Sequence, residues 1–228
     1  MRKLSSFAIA FLIAFAAVAQ QPSTVESRLA AQNALFADYW ETTLKLNPTL
    51  ATQVGDYRYN DKLGDASLAG IAKRHEADQS FLTRIKAIST DGFSEEDRTS
   101  HDLLVRRLQE SADDWDLKNY EMPVGAMGGI HTALADLPNA VPFDSVKHYD
   151  DYIARLHQIP TLLLQTEEVL RQGVKDHLVV VKFLAEKVPN QANGIIASNP
   201  FITPIKKMPA TFSDADKKRL TDEITTTV

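Results

Sequence analysis

Apolar residues recur along this chain at steps of three and four, the spacing of one helix face. From Thr24 to about Leu46, the residues Leu29, Gln32, Phe36, Tyr39 or Trp40, and Leu44 line up in this way, and Thr24 suits the N-cap. Asn47-Pro48 then restarts the chain, with Asn as cap and Pro at the first helical position, where its missing donor has no partner anyway. That short helix should stop at Gly55, and residues 56–65 read as a polar loop. Ser67 opens a second long helix, with Leu68, Ile71, His75, Leu82, Ile85 and Ile88 on or near one stripe and Asp91-Gly92 at its end. Ser94-Glu95-Glu96-Asp97 is a strong start signal, a cap followed by acids where the helix dipole favours them. The helix it begins carries Leu103, Leu104, Leu108 and Trp115 on its apolar face.

The pattern breaks between Glu121 and Pro142, which holds Pro123, Gly125, Gly128, Gly129 and Pro138 and shows no clear period. Asp144 or Ser145 caps the next helix, with Tyr149, Tyr152, Ile153 and Leu156 facing inward. Pro160 should kink it or begin a new one, and Gly173 is a natural C-cap. The strand-like Val179-Val180-Val181 sits beside Phe183, Leu184 and Ala185, so 178–188 reads as a helix stopped by Pro189. Residues 190–210 read as a loop with Pro200, Pro204 and Pro209. Ser213 caps a last helix through Asp214, Asp216 and Leu220, and its unclosed run to Val228 suggests a chain cut short. The expected fold is all-α, a multi-helix array of long antiparallel helices with Pro-rich loops.

Composition narrows the function classes. A hydrophobic share of 44% and a charged share of 24% over 228 residues are ordinary for a globular protein. Only 9 Gly argue against turn-rich all-β folds and Gly-rich nucleotide folds. The absence of cysteine excludes disulfide scaffolds, cysteine zinc sites, thiol nucleophiles and iron–sulfur clusters. A formal charge of −5 offers no basic face for nucleic acid. Arg2 and Lys3, the apolar run from Leu4 to Phe15, and Ala17-Val18-Ala19 together form an export signal, residues 1–19, with Gln20 as the first mature residue. The apolar run is shorter than the ~20 residues that span a bilayer. The expectation is an exported protein, periplasmic or extracellular, with no membrane contact after cleavage. Its mature residues 20–228 form one helical unit, two charge units more negative than the whole chain.

Candidate chemistry is sparse. His75-Glu76 is the nearest approach to a metalloprotease helix, but a second His one turn on is required and Gln79 stands there. His75 lies in an apolar stripe and reads better as a core or boundary histidine. Asp97 with His101, and Asp144 with His148, are four apart and suit surface helix pairs. Asp113, Asp114 and Asp116, and likewise Asp150-Asp151, read as solvated faces. Gly125-x-x-Gly128-Gly129 is not a dinucleotide fingerprint and reads as a turn. Tyr39-Trp40, Tyr57 with Tyr59, and Tyr149 with Tyr152 have the ring surface to stack a ligand, though aromatics at helical spacing usually fill cores. No catalytic, cofactor-binding or metal-binding residue is assigned from the sequence.

Several segments in order nevertheless carry a resemblance. They are Phe36-x-x-Tyr39-Trp40, Asn47-Pro48 with Ala51-Thr52, and Gly55-Asp56-Tyr57-Arg58, then His101-Asp102-Leu103-Leu104, Tyr149-x-x-Tyr152-x-x-Arg155-Leu156, Ile159-Pro160 and Leu170-Arg171-x-Gly173. Their order and spacing resemble the N-terminal part of the bacterial domain of unknown function 885 family, from roughly Ala31 onward. The resemblance implies an exported, mostly helical protein similar to helical zinc metallopeptidases with a deep cleft. It implies a zinc site of His-Glu-x-x-x-His type with a further acid, in a C-terminal half that this sequence does not match, so no catalytic residue carries over.

Two readings follow. In the first, the chain is the N-terminal helical fragment of an exported zinc-peptidase-like protein. It lacks the metal motif itself and partners the C-terminal half of the same protein and a peptide substrate. In the second, it is a non-catalytic extracytoplasmic helical module that binds a peptide or protein.

Overall fold

Five hydroxyl side chains set the starts of the five longest helices among the described residues. Thr24, Ser67, Ser94, Ser145 and Ser213 each accept a bond from the backbone N–H three residues on, which satisfies a donor the helix itself leaves unpaired. The computed structural model describes residues 24–228, so the expected export signal lies outside the described residues. In chain order the helices are α1 (Val25–Leu46), α2 (Pro48–Gln53), α3 (Leu68–Lys86), α4 (Glu95–Asp116), α5 (Ile130–Ala135), α6 (Leu137–Ala140), α7 (Val146–Lys175), α8 (Lys182–Ala185), α9 (Val188–Ser198) and α10 (Asp214–Thr227). Short 3-10 turns lie at Tyr57–Tyr59, Asn119–Glu121 and Pro200–Lys207. The expected all-α array is thus the observed one. Among the described residues, strand is confined to a two-residue antiparallel ladder pairing Val124 with Gly129 and Gly125 with Gly128.

Two hydrophobic cores organise the array. In the first, α3 and α4 form an antiparallel hairpin against α1, burying Leu35, Phe81, Leu82, Ile85, Leu104 and Leu108. In the second, α7 and α10 bury Tyr149, Tyr152, Ile153, Leu156, Leu220 and Ile224 with Leu137 of α6. The 30 residues of α7 run roughly 45 Å at 1.5 Å per residue, and its first half supplies the second core.

The structure corrects the sequence expectations at several places. Asn47 precedes α2, but its side chain does not cap it; the Asn47 amide donates to the Thr43 carbonyl and closes α1 instead. Leu68 and Leu103, expected inward, are exposed. Pro160 neither ends nor restarts α7, which is continuous from Val146 to Lys175 with Pro160 on its solvent face. Gly173 is not a C-cap. It sits buried within α7, where a Cβ would meet the Glu121 carbonyl oxygen at 2.5 Å and that of Leu178 at 2.8 Å. The glycine is there for close backbone approach. The expected helix over 178–188 shrinks to α8, and Pro189 opens α9 rather than stopping a helix, in the first turn that proline favours. The expected loop over 190–210 is therefore mostly α9 and a 3-10 turn.

Candidate functional site

A cleft of substantial size is built from helical stripes that carry polar residues among the apolar ones. Ile71, Arg74, His75 and Asp78 of α3 follow the i, i+3, i+4, i+7 spacing that puts side chains on one face. Arg107, Ser111, Asp114 and Trp115 do the same on α4, and Tyr39, Thr42, Thr43 and Leu46 on α1. The three stripes, with Thr166 and Val169 of α7, enclose about 520 Å³.

One wall is a ladder of rings. His75 stacks on Trp115 at 4.1 Å between centroids and 11° between planes, and Trp115 stacks on Tyr120 at 4.9 Å and 27°. Opposite, Tyr39 meets Phe81 edge to face at 5.3 Å. The His75 Nδ1 atom is buried without a hydrogen-bond partner. Ser111 donates its hydroxyl to Asp78 at 2.6 Å, and the Asn119 amide donates to Asp114 at 2.8 Å, so both cleft carboxylates are held by neutral donors. Arg74 donates from Nη1 to the Asp65 carbonyl at 2.7 Å. Burial pulls its guanidinium below the usual arginine range, with Asp65 and Asp78 opposing.

A second, more apolar cavity of about 330 Å³ adjoins the cleft. It is walled by Leu63, Ile130, Leu134, Leu137 and Leu162, and it shares Leu46, Asn47, Ala66 and Arg74 with the cleft. The two adjoin at these shared residues, so an aromatic arm and an apolar arm meet near Arg74, at the elbow of the groove they make.

A different cluster lies under α7. Arg155 is fully buried and donates to the carbonyls of Lys62, Pro48 and Tyr59 and to the Thr52 hydroxyl at 2.6 Å. Burial holds its pKa down to about 10. The Tyr149 and Tyr152 hydroxyls donate to the Pro204 and Phe201 carbonyls at 3.0 and 2.8 Å. One face of α7 thus ties down two irregular segments whose backbone oxygens would otherwise be buried unpaired.

Residues 48–228 match the family model described as bacterial protein of unknown function, DUF885. The chain belongs to that family. No curated protein matches it. The segments by which the chain resembles the DUF885 family turn out to be largely architectural. Tyr149, Tyr152 and Arg155 are the staples just described. His101 is buried against the Ile85 carbonyl through Nε2 and against Asp102 through Nδ1, both at 3.1 Å, and it braces the α3–α4 hairpin. Arg58 folds back on Asp56 and reaches Glu41.

The candidate pairs divide. His148 and Asp144 do meet, at 2.7 Å. Asp97 instead accepts from the Ser94 hydroxyl, away from His101. Asp113, Asp114 and Asp116 are exposed, as expected. Asp151 departs from the solvated reading: it is buried and paired with Lys147 at 2.8 Å. The glycines of 125–129 form the small ladder, a turn as expected.

His75 and Glu76 do not fit zinc. The imidazole stacks on Trp115, Glu76 is exposed, and Gln79 stands where a second histidine ligand would be needed. Among the described residues, no group of three His, Asp or Glu side chains is placed to hold a metal ion. Among them also, no helix is long and apolar enough to cross a membrane. The cleft itself escaped the sequence reading. The missed signal was polar residues recurring on inward stripes, Arg74 with Asp78 and Arg107 with Ser111.

Proposed function

We propose that this DUF885 chain is the substrate-holding helical part of an exported zinc-dependent peptidase-like protein, and that its own residues hold peptide rather than metal. The observation that carries the reading is the pair of adjoining cavities. They are lined by rings, aliphatic side chains and polar groups, a mixture that suits a chain of mixed character. In this reading zinc is held by a C-terminal catalytic half. The apolar side chains on and before α8 and α9 support a face for that half: Val181, Phe183 and Ile196 are more than half exposed at 56%, 63% and 75%.

The test uses the purified full chain with the Trp40→Phe change, which leaves Trp115 as sole tryptophan reporter in the cleft. Mixed short peptides should quench Trp115 fluorescence saturably, with no turnover whether or not zinc is added. Zinc-dependent cleavage by this chain alone would overturn the non-catalytic assignment, and absence of quenching would remove the peptide groove. Reading the gene past the Val228 codon tests the partner: a stop codon with no downstream His-Glu motif refutes the catalytic half. Mass spectrometry of the exported protein should find Gln20 at its N-terminus.

A further inference from the structure

Arg74 is a half-buried cation at the elbow of the groove, and what surrounds it is incomplete. Among the described residues, its one hydrogen bond is to a backbone carbonyl, Asp65 O at 2.7 Å. Among the described residues, no carboxylate lies within ion-pair distance of it. Asp65 and Asp78 stabilise its charge through space, but their oxygens are taken by the Ser67 backbone and the Ser111 hydroxyl and neither pairs with it directly. A guanidinium presents five donors in a planar fork that matches a carboxylate in bidentate fashion. The fork of Arg74 is therefore left with donors that no carboxylate among the described residues meets. Arg74 lines both cavities, the aromatic one with Trp115 and Tyr39 and the aliphatic one with Leu134 and Leu162.

We propose that Arg74 is the carboxylate-binding residue of the groove, and that it receives the C-terminal carboxylate of a peptide whose last side chain is aliphatic. The last side chain enters the aliphatic arm, and the preceding residues run along the aromatic arm. This rests on the peptide-groove reading above and adds a substrate end to it. Arg107, on the cleft rim and exposed, is too solvated to supply the same selectivity.

The experiment titrates the Trp40→Phe chain with N-acetyl-phenylalanyl-leucine, with its C-terminal amide, and with octanoate, reading Trp115 quenching. The acid should bind at least about tenfold more tightly than the amide. Arg74→Gln should bring acid and amide to equal affinity, Arg74→Lys should keep part of the preference, and Arg106→Gln, on α4 outside both cavities and paired with Glu110, should keep all of it. Circular dichroism of each variant checks folding, and the acid–amide comparison in the parent needs no Arg74 variant. Equal binding of acid and amide in the parent overturns the Arg74 proposal while leaving the peptide groove standing; no binding by either overturns both. A preference that survives Arg74→Gln places the anion elsewhere and also overturns it. Octanoate binding more tightly than the dipeptide, through Arg74, would mean that an aliphatic acid rather than a peptide end is the ligand.

Discussion

Arg155 ties the 48–62 segment to α7. It is wholly buried, satisfies four acceptors from 48–62, and has no ion-pair partner among the described residues. Replacing it by Met keeps bulk but orphans those acceptors. Arg155→Met should therefore destabilise by about 3 kcal/mol, read as a lower urea midpoint with unchanged slope. A loss under about 0.5 kcal/mol, the size of an ordinary surface substitution, would mean water replaces the guanidinium. The buried tyrosines give a pH dependence. Burial raises the Tyr149 phenol from 10.0 to about 12 and raises Tyr152 as well. The folded state holds these protons after the unfolded state has released them, so their contribution is complete below about pH 10 and is lost as pH rises through the folded values. Urea denaturation from pH 8 upward should show stability falling above pH 10. Tyr149→Phe should flatten part of that fall, and an unchanged slope in this variant would show that Tyr149 does not carry it.

At the scale of elements, α7 is the long member, and its packing depends on one missing side chain. Gly173 lets the helix approach the 121 and 178 backbones, and the atoms a Cβ would meet are carbonyl oxygens, which cannot rotate aside. Gly173→Ala should cost about 1–3 kcal/mol, despite alanine's better helix propensity. A thermal melt equal to or above the parent's would show that the crossing has slack. The i,i+4 ion pairs along the exposed faces, such as Arg106–Glu110 and Arg171–Glu167, contribute little, being solvated and screened.

At the scale of the molecule, stability is uneven. The α3–α4 hairpin and α7 carry the buried cores, whereas α8 and α9 contain no buried residue. Segments with few buried contacts open locally at lower free energy. Hydrogen exchange should therefore find the amides of 182–198 exchanging ahead of those in α3, α4 and α7. Equal protection would show that α8 and α9 are packed more firmly than their exposure indicates. The aromatic arm runs between α1, α3, α4 and α7 and so belongs to the slow-exchanging part, whereas the apolar arm is also walled by α5, α6 and the 63–66 loop.

The sequence by itself determined where the long helices start, because a Ser or Thr cap and an acidic first turn are local chemistry, as at Ser94 and Ser213. It also determined the family, through the order of short segments, and the all-α class. It misplaced Pro160, Gly173 and Pro189, because each has two local meanings and tertiary contacts choose between them. The groove was invisible for a related reason. Arg74, His75, Ser111 and Trp115 become neighbours only when α3 and α4 pack antiparallel, and no spacing within either helix records which polar residue will face a ring across the gap. Distance along the chain carries helix periodicity; the juxtaposition that makes a binding surface exists only after the cores have closed.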